Sequence, residues 1–346
     1  MRRKISFQIS VLIVALGLVG CATAHRSTAR FEYTQPQMGL PFRIVLYAAD
    51  KPSADAAADA AFARVAELNS VLSDYDTDSE LSRLSQTAGQ GKVVRVSDDL
   101  WRVLERAQQL AEETDGAFDI TCGPVVSLWR KARREKILPD KIKLEEARRA
   151  VGFSNLRIDA RAHTVELLAP YMRLDLGAIA KGYAIDEALK VLRTRGIRSA
   201  FVSGSGDMAA SAPPPGTQGW RIELAPLDTK DAPAAPQAPP TQFVLLRNRA
   251  LATSGDSFQH LEINGVRYSH IVDPRTGVGL TDHSLVVVIA RDCLTADSLS
   301  TAVSVLGPKP GIKLAEAKGA YVRVVRQPVA TIEVLESRGF SQHLLR

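Results

Sequence analysis

Several short β-prone runs follow one another with no room for a helix between them, and this narrows the fold more than any other feature. Residues 156–158, 164–168 and 172–176 are separated by a few positions each, as are 261–263 and 267–272. Strands this close in sequence pair antiparallel, because a parallel pair needs a crossover of roughly a dozen residues. Further strands are expected at 42–48, 199–203, 243–246 and 285–290, and again after Ala320. Apolar residues recur at helical spacing in three stretches: 53–72 with Ser53 as N-cap, 100–110 behind Ser97 or Asp98, and 296–306. Another helix should run directly from 172–176 to near Gly196. The mixture reads as an α+β fold with mixed or antiparallel sheets and packed helices, not a doubly wound parallel sheet. The basic segment 129–149, broken at Pro139, reads as helical with its charges on a solvated face. Residues 225–241 carry five prolines, which a sheet interior rejects, so they read as a loop insert within one domain.

The N-terminus reads as an address. Arg2-Arg3-Lys4 precedes an apolar stretch ending at Gly20, too short for the ~20 residues of a bilayer-spanning helix but suited to an export signal over 1–20. Leu18-Val19-Gly20-Cys21 resembles a bacterial lipoprotein cleavage box, with Cys21 the lipidated first residue; an ordinary signal peptide with an incidental Cys is the alternative. Residues 21–30 then form a tether and 31–346 a globule held to the periplasmic side of a membrane by its acyl chains. Of the net charge of +6, three units come from Arg2, Arg3 and Lys4, and no basic run interleaved with aromatics remains, so nucleic acid is not an expected partner. Cys122 and Cys293 are left unassigned between a disulfide and buried thiols.

Three segments carry chemistry. In the run from Arg173 to Asp186, a strand delivers Asp175 to a turn at Gly177, and a helix begins with small residues whose free N–H groups favour an anion. Lys181 lies where the helix dipole disfavours a cation, so either a bound anion or plain solvation accounts for it. Asp297 and Thr301 stand four apart on one helical face and offer hard oxygens suited to Mg²⁺; ordinary capping by Thr295 and Asp297 is the alternative. The third cluster joins residues 252–255 to 268–277. Asp273-Pro274 starts a turn that points Arg275 and Thr276 towards the cleft, and His270 is either a proton shuttle or a structural strand histidine. No zinc-ligand spacing, dinucleotide-binding glycine fingerprint or serine-nucleophile elbow is present.

Together the motifs resemble the ApbE family, the FAD:protein FMN transferases, from about Tyr33 to Val325. The matching pieces are Gln37-Met38-Gly39, Ser73 to Asp76 with Ser79 to Ser82, Gly116 to Thr121, Asp175 to Gly182, Ala252 to Gly255, His270 to Gly277 and Ala296 to Thr301. The resemblance implies an ApbE-like, T-fold-related architecture and a periplasmic enzyme that moves FMN from FAD to a Thr or Ser hydroxyl on a subunit of a membrane redox complex, releasing AMP. It also implies that Met38, Tyr75, Ala117, Phe118, Asp119, Asp175, Lys181 and Thr253 line the FAD site. The Ala178 carbonyl, Asp297 and Thr301 would hold Mg²⁺, with His270 near the reacting hydroxyl and His270 or Asp297 as base. Ser203 to Asp207 departs from the Gly-Gly pair usual in the family, and Asp256 to Phe258 from a common aromatic. FAD hydrolysis, or a lipoprotein that only holds FAD, are the competing readings.

Overall fold

The protein is described by a computed structural model over residues 28–227, 241–257, 259–328 and 331–345. The export signal, Cys21, most of the tether and residues 228–240 of the insert lie outside the described residues.

Eight strands form one antiparallel sheet in which spatial order equals chain order. They are β1 (Ala29–Gln37), β2 (Leu40–Ala48), β3 (Ala200–Gly204), β4 (Asp207–Ala210), β5 (Arg249–Gly255), β6 (Ser284–Ala290), β7 (Tyr321–Arg326) and β8 (Glu333–Glu336). The eight α-helices among the described residues are α1 (Lys51–Leu72), α2 (Glu80–Ser85), α3 (Asp98–Glu113), α4 (Gly123–Glu135), α5 (Lys141–Arg149), α6 (Ala180–Thr194), α7 (Cys293–Leu306) and α8 (Pro308–Ala317). Side chains alternate across the sheet. Ile44, Leu46, Val202, Ala252, Val286 and Val288 pack under α1, α6 and α7, while Val45, Phe201, Leu251, Val287 and Ile289 face the hairpin of Trp220–Leu224 with Gln242–Leu246. With both faces covered, every residue of β6 is buried.

The expected α+β class holds, and several local expectations change. β1, starting inside the stretch read as tether, escaped notice because it is a polar edge strand with Pro36 near its end. α1 is capped by the Asp50 carboxylate, which accepts from the Ser53 N–H, so Ser53 is not the cap. Residues 172–176 are not a strand: the Asp175 N–H donates to the Ile120 carbonyl and the Leu174 N–H to Ser85 Oγ, and Arg173 alone makes a bridge. The run expected at 267–272 breaks into Val266–Ser269 and Val272–Asp273, which leaves His270 between strands. α7 is capped by Asp292, three residues before the expected Thr295. Cys122 and Cys293 are free thiols. No helix among the described residues is long and apolar enough to cross a membrane.

Candidate functional site

The antiparallel order brings the β1–β2 turn, the β3–β4 turn, the end of β5 and the start of β6 to one end of the sheet. There a cleft of about 1280 Å³ opens between the sheet end, α4, and the starts of α6 and α7. It exceeds the roughly 300–1,000 Å³ of small-ligand pockets, which leaves space for a ligand of dinucleotide size. Met38, Tyr75, Ala117, Phe118, Asp119, Asp175, Ala178, Lys181, Thr253, His270, Asp297 and Thr301 all line it. Cys21 is outside the described residues. Met38 reaches the cleft from a tight turn in which it and Gly39 both take left-handed conformations, at φ 50 and 74. That pair of angles matches the hairpin turn whose twist suits two-residue loops, although Met is strained there.

The cleft floor is built by a close contact between α6 and α7. A Cβ at Gly182 would lie 2.3 Å from the Cys293 carbonyl oxygen, so only glycine allows this approach. The approach lets the Gly182 N–H donate to Asp297 Oδ2 at 2.9 Å instead of closing the first helical turn onto Ala178. Among the described residues no donor takes the Ala178 carbonyl. Because α7 starts at Cys293, Asp297 lies beyond the first turn and does no capping. Its carboxyl is pushed up by burial and by the neighbouring Asp207. Thr301 Oγ1 lies 3.3 Å from Ser254 Oγ. Lys181 Nζ lies 2.5 Å from Asp207 and 3.4 Å from Asp297; burial opposes its charge, but the two carboxylates outweigh burial and raise its pKa. Those carboxylates, not a bound anion, explain a lysine at a helix start. One ammonium against two buried carboxylates leaves excess negative charge in a cleft that a free carbonyl and a hydroxyl also line, an oxygen set that suits a hard divalent cation.

The second half of the cleft is held by Arg130, which donates from Nη2 to Asp175 Oδ2 at 2.7 Å and also bonds Asp74. Its guanidinium sits 4.4 Å from the centre of the Tyr75 ring, whose side chain is 76% exposed at the mouth. Asp175 Oδ1 accepts the Gly177 N–H at 2.8 Å, which fixes the glycine turn expected from the sequence. Asp119 accepts the Thr121 N–H at 2.8 Å, and burial raises its pKa. The expectation that the charges of 129–149 are all solvated therefore fails at Arg130 and Arg133, both on the cleft wall.

His270 Nδ1 lies 3.1 Å from the Gln259 carbonyl. An oxygen that only accepts requires a proton on Nδ1 and leaves Nε2 with its lone pair. Burial, with smaller contributions from Arg133 and Lys181, lowers the His270 pKa to about 4. The ring is thus neutral near pH 7 and able to accept a proton. Arg275 does not reach the cleft: it forks onto its own turn's Asp273 at 2.9 and 2.8 Å, while Thr276 Oγ1 turns back to the Asp273 carbonyl. Asp207 and Arg130 were missed. Asp207 has no motif of its own, but the i, i+4, i+7 spacing of Val126, Arg130 and Arg133 was available as a signal. The two departures also resolve. Ser205 takes φ 60, a conformation glycine adopts without strain, and Asp256 accepts from His283, Arg267 and the Ser284 N–H, clamping the rim.

Comparison with known proteins gives a consistent match. A family model described as the ApbE family matches residues 38–325. The FAD:protein FMN transferase of Treponema pallidum is 33% identical over 313 residues, covering 87% of this chain and 85% of its own. That of Vibrio cholerae is 32% identical over 262 residues, covering 75% and 76%. Among solved structures, the flavin transferase ApbE from Vibrio cholerae superimposes with a TM-score of 0.80 at 28% identity, covering 91% of this chain and 99% of that one. The apo flavinyl transferase ApbE of Pseudomonas stutzeri gives 0.79 at 28% identity, covering 92% and 97%.

Proposed function

The chain belongs to the ApbE family, and on that premise we propose that it is an FAD:protein FMN transferase, joining FMN through a phosphoester to a Thr or Ser hydroxyl of an acceptor protein. The observation that carries the reading is the Gly182 amide turned onto Asp297, which frees the Ala178 carbonyl in a cleft of dinucleotide size that Thr301 also lines. Asp297, Thr301 and the Ala178 carbonyl would hold Mg²⁺. When bound, the ion would neutralise charge on the diphosphate, and charge neutralisation with positioning is most of what phosphoryl transfer requires. Met38, Tyr75, Ala117, Phe118, Asp119, Asp175, Lys181 and Thr253 form the walls that hold FAD. The acceptor oxygen bonds to the phosphorus of the FMN half as the bond from that phosphorus to the AMP phosphate breaks. The hydroxyl proton passes to Nε2 of neutral His270, and AMP leaves. A lipid anchor at Cys21 would keep the cleft on the periplasmic face, close to acceptor subunits of membrane redox complexes.

The test is product analysis. Protein, FAD and Mg²⁺ are incubated with an acceptor domain, and flavinylated acceptor is measured by intact mass alongside AMP. The reading expects one AMP per modified acceptor. Free FMN with AMP and no adduct would indicate hydrolysis, and intact FAD would indicate a flavin-holding protein; either result rejects the transferase.

A further inference from the structure

One face of α4 turns into the cleft, carrying Val126, Arg130 and Arg133. Three cationic side chains line this space, and two are spoken for. Arg130 is shared between Asp74 and Asp175, and Lys181 between Asp207 and Asp297. Arg133 pairs with no carboxylate among the described residues, and its Nη1 is buried without a hydrogen-bond partner. Its neighbour Arg134 shows that this helix can send a guanidinium to water, where Arg134 is exposed. Leaving a buried charged donor unmade is costly, so a guanidinium on the cleft wall that lacks an acceptor is matched to one that arrives with a ligand. Arg133 is near enough to Tyr75 and His270 for its charge to act on both.

We propose that Arg133 is a substrate-binding residue whose guanidinium turns to donate to a phosphate oxygen on the FMN half of the bound flavin nucleotide, giving the Nη1–H that is buried without an acceptor a partner. This rests on the flavin-transfer reading, because the phosphorus attacked by the acceptor hydroxyl must lie beside the base that takes the proton. Placed near His270, the guanidinium meets the oxygens on which charge gathers as the bond to AMP breaks. A planar guanidinium suits a phosphate better than an ammonium does, so lysine should replace it only in part. An acceptor carboxylate is the other oxyanion that could enter the cleft. It is disfavoured because Arg133 lines the cleft together with Tyr75 and His270, the walls that the flavin-transfer reading gives to the dinucleotide.

The experiment compares the wild-type chain with Arg133→Ala and Arg133→Lys in two arms. Flavin-fluorescence titrations with riboflavin, FMN and FAD, without acceptor, report phosphate recognition directly. Wild type should prefer FMN to riboflavin, and Arg133→Ala should lose about ten- to a hundredfold of that preference. In turnover, Arg133→Ala should lower kcat by about a hundredfold, leave the KM for acceptor unchanged, and regain activity with added guanidinium ion. Arg133→Lys should recover part of both losses. An unchanged FMN-over-riboflavin preference overturns the assignment. So does a defect confined to the KM for acceptor, which would make the carboxylate its partner. If wild type binds FMN through Arg133 but flavinylates no acceptor, the transferase reading fails and the phosphate contact stands.

Discussion

Replacing Gly182 by alanine tests how the floor of the cleft is built. The added Cβ would lie 2.3 Å from the Cys293 carbonyl oxygen and 2.9 Å from Asp297 Cβ, where ordinary contact begins at 3.4 Å. The carbonyl is backbone at the start of α7 and cannot rotate away, so α6 and α7 must part by about 1 Å. Overpacking of this kind costs about 1–3 kcal/mol. Gly182 lies in the first turn of α6, so alanine's preference for the helix returns at most about 1 kcal/mol of that. The melting temperature should therefore fall by only a few degrees. Function should suffer far more, because the displacement breaks the Gly182–Asp297 hydrogen bond and lets the amide turn back towards Ala178, filling the carbonyl the cation needs. A misplacement near 1 Å in a reacting site costs about a hundredfold in rate. Circular-dichroism melts and initial rates of acceptor flavinylation at saturating FAD and Mg²⁺ measure both effects. A folded Gly182→Ala protein within threefold of the wild-type rate would refute the reasoning.

Three further outcomes follow from the same geometry. Asp297→Asn keeps the shape and can still accept the Gly182 N–H, so it should leave the melt nearly unchanged while lowering transfer by at least about a hundredfold, read from acceptor mass. Because burial and Asp207 raise the Asp297 pKa, protons compete with the cation there. Apparent Mg²⁺ affinity should weaken as pH falls below that raised pKa, by up to about tenfold per unit, and Asp207→Asn should move this dependence to lower pH; calorimetric titrations from pH 5.5 to 8.5 would show it. His270, with its pKa lowered to about 4, stays neutral where a free imidazole would charge. At saturating Mg²⁺ the transfer rate should therefore show no acid limb near 6.5, and His270→Ala should lower it by about a hundredfold or more. A limb at 6.5 that vanishes in the variant would show that the wild-type ring titrates normally.

Much of this was legible in the sequence because the informative residues act locally. Strand runs too close for crossovers gave the antiparallel class, and the Asp175–Gly177 turn was visible because Asp175 bonds an amide two residues away. The Asp297–Thr301 pair was visible as a helical spacing, although the sequence could not separate capping from metal chemistry. The cap at Asp292 separates them, and it lies only four residues before the stretch 296–306 whose spacing reads as a helix. What stayed hidden depends on distant partners. Asp207 has meaning only through Lys181, 26 residues earlier, and Arg130 only through Asp74 and Asp175. Nothing in the spacing of Arg275 revealed that its own Asp273 would hold it away from the cleft. β1 was hidden because only Phe31 and Tyr33 of its nine residues pack onto the core.

The most direct measurement is anomalous diffraction from crystals soaked with Mn²⁺ and FAD, with Mn²⁺ standing in for Mg²⁺. A single peak should lie within bonding distance of an Asp297 carboxylate oxygen, Thr301 Oγ1 and the Ala178 carbonyl, with diphosphate oxygens completing its shell. A flavin seated in the cleft with no peak there, or with the cation bound only to groups elsewhere, would contradict the assignment.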